Sequence, residues 1–148
     1  MLALALGLVT AMAAQQKSVP GTGAELVRLL DGTVWIDVGL GRTLASLTPK
    51  QIAELRRCKE PTMAFEKTSA GWVQSFYAGI EMRTVYGSAA FRRDTSVETV
   101  LFYATGGTRP AEVLRLTKAG DAMVEQTRGF RPHTFLKCNP PRPARKAK

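Results

Sequence analysis

Apolar and polar residues alternate with period two over much of the chain. Ile80, Met82, Thr84 and Tyr86 fall on one side, with Glu81 and Arg83 on the other. Met63 and Phe65 share a face, and Leu114 and Leu116 oppose Val113, Arg115 and Thr117. This is the period of a β-strand, whose successive side chains point to opposite faces. Runs of β-branched and aromatic residues, bounded by turn formers, predict strands over 62–67, 71–77, 80–86, 88–93, 97–104, 112–117, 121–127 and 133–138. Asp94-Thr95-Ser96, Thr105-Gly106-Gly107, Lys118 to Asp121 and Arg128-Gly129 are turns, and so is Gly87. Ala78-Gly79 is either a turn or a bulge inside one long strand. Val97 to Ala104 is apolar on both faces, which predicts cover on both sides, one of them supplied by a helix over 49–57.

That helix has the clearest start signal in the chain. Thr48 caps it, Pro49 suits a first position that needs no N–H donor, and Gln51 completes a capping box. Leu47, Ile52 and Leu55 form its apolar stripe, and Arg56 and Arg57 suit the negative end of its dipole. Upstream, Asp31-Gly32 turns the chain into a strand over Thr33 to Val38, preceded by a short helical turn over Glu25 to Leu30. Residues 15–24 are polar and Gly-rich, and read as disordered. The predicted fold is mainly β: an antiparallel meander of about eight strands closing into a small barrel, which removes exposed edges, with one short N-terminal helix. The barrel domain spans 31–138 behind a flexible segment, 15–30.

The first fourteen residues, MLALALGLVTAMAA, change the picture of where the fold resides. They are apolar and small, and Ala11-Met12-Ala13 fits the cleavage site of a secretory signal peptide, cut after Ala13 or Ala14. A bilayer span needs about 20 residues. No Lys or Arg precedes the apolar stretch, which a start upstream of Met1 would explain. The expected compartment is the periplasm or the exterior, where disulfides persist, so Cys58 and Cys138, the only cysteines, are expected to pair. Such a bond closes a loop worth about 4–5 kcal/mol in the chain-entropy model, less any native strain. The mature chain of about 134 residues is large enough to hold a core of its own.

The net charge is +9, of which +4 lies in the last ten residues, NPPRPARKAK. This segment, 139–148, reads as a disordered basic tail stiffened toward polyproline II. A basic secreted chain meets anionic surfaces and acidic proteins before nucleic acid, so no nucleic-acid partner is expected.

Chemistry is sparse. The one histidine, His133, lies beside Pro132 and reads as a strand-face or loop residue, with a site role as the alternative. Glu66, Glu81, Glu98, Glu112 and Glu125 each fall in a predicted strand and read as solvent-facing. An enzyme would need at least two of Glu66, Glu81, Glu98 and Glu125 to converge in one cleft. No nucleotide loop, nucleophile elbow or zinc-protease motif is present, and neither an enzyme, a metal nor a cofactor is expected. The aromatic residues either fill the interior or line a cavity. Trp72, Gln74 and Phe76 share a face and set one polar group among aromatics.

The leader, an early tryptophan strand, a short helix, a meander of strands and one disulfide together resemble the secreted lipocalin-like and protease-inhibitor-type barrels of Gram-negative bacteria. The likeness covers residues 31–138 and is one of architecture. Lipocalins carry Gly-x-Trp in the first strand, whereas two residues separate Gly32 from Trp35 here. The expectation is a non-enzymatic binding domain in which Trp72, Phe76, Met82, Tyr86 and Phe102 line a site for a small apolar ligand. The alternative is a cell-envelope interaction or inhibitor protein with a packed core, working through its N-terminal arm or its basic tail. That tail would also suit an anionic surface.

Overall fold

The structure is a computed structural model that describes residues 18–59 and 61–139. The leader over 1–14 and nearly all of the basic tail lie outside the described residues. In order, the elements are β1 (Val19–Pro20), α1 (Gly23–Leu30), β2 (Val34–Asp37), a 3₁₀ turn (Leu44–Ser46), α2 (Pro49–Leu55), β3 (Thr62–Thr68), β4 (Gly71–Tyr77), β5 (Glu81–Tyr86), β6 (Ser88–Arg93), β7 (Val97–Tyr103), β8 (Glu112–Thr117), β9 (Ala122–Thr127) and β10 (His133–Lys137). The strands form one antiparallel ten-stranded sheet in the order β1-β6-β7-β8-β9-β10-β2-β3-β4-β5. Its hydrogen-bonded order runs from β1 to β5 and does not join end to end, so the ladder by itself does not close the expected barrel.

Gly87 is a bend within a run of strand, where a hairpin turn was expected. Tyr86 ends β5, Ser88 starts β6, and the two do not pair with each other: β5 pairs with β4, and β6 with β7. One stretch from Glu81 to Arg93 therefore changes partners at Gly87, whose N–H donates to the Tyr103 carbonyl at 2.9 Å. Space is tight at this crossing. A Cβ on Gly71 would lie 2.0 Å from the Tyr86 carbonyl oxygen, and the backbone there has φ +137, which glycine adopts readily. Ala78-Gly79, in contrast, is a true turn between β4 and β5.

The sheet is curled so that distant strands meet across its inner face. Phe102 of β7 stacks on Phe65 of β3 at 5.8 Å and on Tyr86 of β5 at 4.7 Å, and meets Trp72 of β4 edge-on at 6.0 Å. Trp35, Met63, Val100, Leu114, Leu116, Met123 and Phe135 complete this core.

α1 plugs it with the buried Leu26 and Leu30. The helix begins at a capping box: Glu25 N–H donates to Thr22 Oγ1, and Thr22 N–H donates to Glu25. Residues 18–30 thus differ from the flexible segment expected: β1 pairs with Arg92 and Arg93 of β6, and α1 belongs to the core. α2 is where the sequence puts it, with the Thr48–Gln51 box and Pro49 at its start, although it ends at Leu55. Ile52 and Leu55 pack with Ile36, Ala122 and Leu136 on the opposite face of β2, β9 and β10. α2 therefore does not cover β7, whose burial alternates: Val100 and Phe102 are buried and their neighbours only partly so.

Cys58 and Cys138 form a disulfide with their Cα atoms 5.7 Å apart. It joins the chain just after α2 to the residue just after β10. Cys58 has φ 57, a left-handed conformation unusual for a residue with a Cβ. Arg56 braces the same corner, its guanidinium 3.2 Å from Asp121 and its carbonyl accepting from the Asn139 N–H.

Candidate functional site

On each inner strand, the residue two positions from a core residue points to the same face. On several strands in turn, that next inward position is polar. Trp35 is followed by Asp37, Trp72 by Gln74, and Met123 by Glu125. Leu114 is preceded by Glu112, and Phe135 by His133. The strand register brings these positions together at one end of the curled sheet. Glu125 pairs with His133, Thr127 with Glu112, and Gln74 with Thr84.

They surround a cavity of about 470 Å³. Its apolar wall is Met63, Phe76, Met82, Ala111 and Phe135, with Phe130 from the β9–β10 loop at the rim. Its polar side is Gln74, Tyr86, Glu112 and Glu125, with Asp37, His133 and Arg131 farther out. Phe130 is 70% exposed and Met82 52%, so the mouth opens to solvent between the β9–β10 loop and β5.

Glu112 is the deepest of the charged groups, at 1% exposure. Gln74 Nε2 donates to its Oε1 at 2.8 Å, and the Tyr86 hydroxyl donates to its Oε2. Tyr86 Oη also lies 3.2 Å from Gln74 Oε1. A carboxylate this deep loses most of its hydration, and Glu125 adds a second negative charge beside it. Burial first, and the Glu125 charge second, push the Glu112 carboxyl up to about 8, against the opposing hydrogen bonds from Tyr86 and Gln74. Burial and the neighbouring Glu112 raise the Tyr86 phenol in turn, which keeps it a donor. Thr127 Oγ1 donates to Glu125 Oε1 at 3.1 Å, and His133 Nδ1 lies 3.4 Å from Asp37 Oδ2.

The residues expected to line a ligand site divide. Phe76, Met82 and Tyr86 line this cavity, whereas Trp72 and Phe102 pack in the core beyond it. Among the carboxylates, Glu112 corrects the expectation of solvent-facing alternation, because it is buried in phase with Leu114 and Leu116. Of Glu66, Glu81, Glu98 and Glu125, only Glu125 reaches the cavity, and its neighbour there is Glu112. Glu66 is exposed, Glu81 lies 3.7 Å from Arg83, and Glu98 lies 3.5 Å from Arg93. His133 opens β10 as a strand-face residue, the reading the sequence favoured, and lines the cavity from there.

Among the described residues, no three of His, Cys, Asp and Glu are gathered to hold a metal ion, and no helix is long and apolar enough to cross a membrane. Compared with protein-family models, curated proteins and solved structures, the chain matches none.

Proposed function

We propose that this protein is a non-enzymatic binding domain of the periplasm or the exterior that holds a small, largely apolar ligand in the cavity at one end of a small barrel. The observation that carries this reading is the cavity itself. Its volume of about 470 Å³ is that of a small-molecule site, and an apolar wall faces a few fixed polar groups there. The barrel reading draws support from the unbroken Glu81–Arg93 stretch, which pairs with β4 by its first half and with β7 by its second, and so links the two halves of the sheet at Gly87. Within the cavity Gln74 and Tyr86 donate to Glu112, Thr127 donates to Glu125 and His133 lies against Asp37, which holds these polar groups in fixed positions. The disulfide and the apolar leader support an oxidising compartment. The competing reading, an interaction protein working through a free N-terminal arm, loses ground because residues 19–30 are engaged in the sheet and core.

N-phenyl-1-naphthylamine, an uncharged apolar fluorophore, tests the reading. Saturable 1:1 enhancement of its fluorescence is expected. Thr84 lines the mouth and is itself exposed, so Thr84→Trp fills the opening without disturbing the core. It is expected to weaken binding about tenfold or more at an unchanged melting temperature. Absence of saturable binding, or binding indifferent to both Thr84→Trp and Phe76→Ala, would overturn the reading.

A further inference from the structure

The floor of the cavity is acidic in a protein that is otherwise strongly basic. Lys and Arg outnumber Asp and Glu by 21 to 12, yet three of those acids, Asp37, Glu112 and Glu125, line this one cavity. Facing them are one Arg, the exposed Arg131 at the rim, and His133, which is engaged with Asp37. Polarity also changes with depth. Glu112 is at the bottom and Glu125 is partly exposed above it, while Arg131 and Phe130 stand at the mouth. A fatty acid would have to place its tail against two carboxyls, or its carboxylate beside them. The first strips water from the Glu125 carboxylate without replacing it, and the second sets like charges side by side.

We propose that the ligand is an organic cation with an apolar body, whose ammonium or guanidinium group enters first and is held between Glu112 and Glu125. This rests on the binding reading above and specifies the chemistry of its ligand. Gln74 and Tyr86 hold the Glu112 carboxylate from behind and fix its orientation. The body of the ligand lies against Met63, Phe76 and Met82. No bond is made or broken. The ligand cation takes the place of the proton on Glu112, and that proton leaves to solvent.

The groups facing the pair are Gln74 on β4, Tyr86 on β5, His133 on β10, Asp37 on β2 and Arg131 in the β9–β10 loop. Of these, Tyr86 stays protonated throughout the neutral range. Protons and cation compete for one place, so cation affinity rises with pH up to about 8 and then levels.

Displacement of N-phenyl-1-naphthylamine by n-octylamine, 1-octanol and octanoate, three ligands with the same tail, separates head group from body. At neutral pH octylamine is expected to compete about tenfold or more better than octanol, and octanoate worst. Calorimetry in buffers of different ionisation enthalpy is expected to show proton release on octylamine binding. Glu125→Gln is expected to abolish the amine preference while leaving octanol unchanged. It is paired with Glu112→Gln because it sits less deeply and is the safer variant to fold. Octanol or octanoate competing as well as octylamine would overturn the cation assignment and leave the cavity reading standing. An amine preference that survives Glu125→Gln and Glu112→Gln, both folded, would overturn it too. Failure of the fluorophore itself to bind would remove both.

Discussion

Glu112 has a consequence for stability even without a ligand. Its folded-state carboxyl titrates at about 8 against an ordinary value of 4.5. Between these two values the folded protein keeps a proton that the unfolded chain has released. Stability therefore falls as pH rises through that window and levels off above it. Glu112→Gln keeps the local geometry in a closed ring: the new side-chain amide would donate to Tyr86 Oη, Tyr86 would donate to Gln74 Oε1, and Gln74 would donate back to the new amide's oxygen. Urea unfolding is expected to show the variant gaining on wild type from about pH 5 to about pH 9, with the largest gain at the alkaline end. A gain independent of pH would mean that Glu112 does not titrate in this window. The signal for this residue is present in the sequence. Glu112, Leu114 and Leu116 alternate in one phase, as do Met123 with Glu125 and His133 with Phe135. Assigning Glu to solvent by residue type, rather than by phase, concealed the polar end of the interior.

Among the elements, β-branched and aromatic runs bounded by turn formers, with alternation in some of them, made nine of the ten strands legible to within a residue or so. β1 carried no such signal: two residues, one of them proline, pair at the margin of the sheet. α1 was only half legible. Its Gly-rich start resembles a linker, yet Thr22 and Glu25 already have the spacing of a capping box. Gly87 misled for a different reason, since a glycine between two strands signals a turn and a change of partner equally well. The burial of α1 makes a firm prediction. Leu30 is fully buried among the residues of the main core, so Leu30→Ala is expected to cost about 2–5 kcal/mol, measured by denaturant unfolding. A loss below about 1 kcal/mol would show that the helix is a dispensable appendage after all.

Over the whole molecule, two centres of packing lie on opposite faces of one sheet. The main core sits inside its curl, and a smaller one lies under α2 where the disulfide is anchored. The bond between Cys58 and Cys138 makes a covalent ring that carries β3 to β10, while β1, α1, β2 and α2 lie on the chain leading into it. β2, from outside the ring, is nonetheless wedged between two strands of the ring, β10 and β3. A molecule stretched from its two ends can therefore lengthen only as far as the segments outside the ring allow, which ahead of Cys58 means peeling β1 and α1, drawing β2 out of its slot and unwinding α2. The 80-residue separation held by the clasp, roughly 260–290 Å of extended chain, stays hidden. Single-molecule pulling is expected to show this hidden length released only after a reductant is added. Its appearance without reductant would mean that the ring is open. Tension on the oxidised protein thus strips β2 from between its neighbours while the rest of the sheet stays within a loop that force alone cannot unravel.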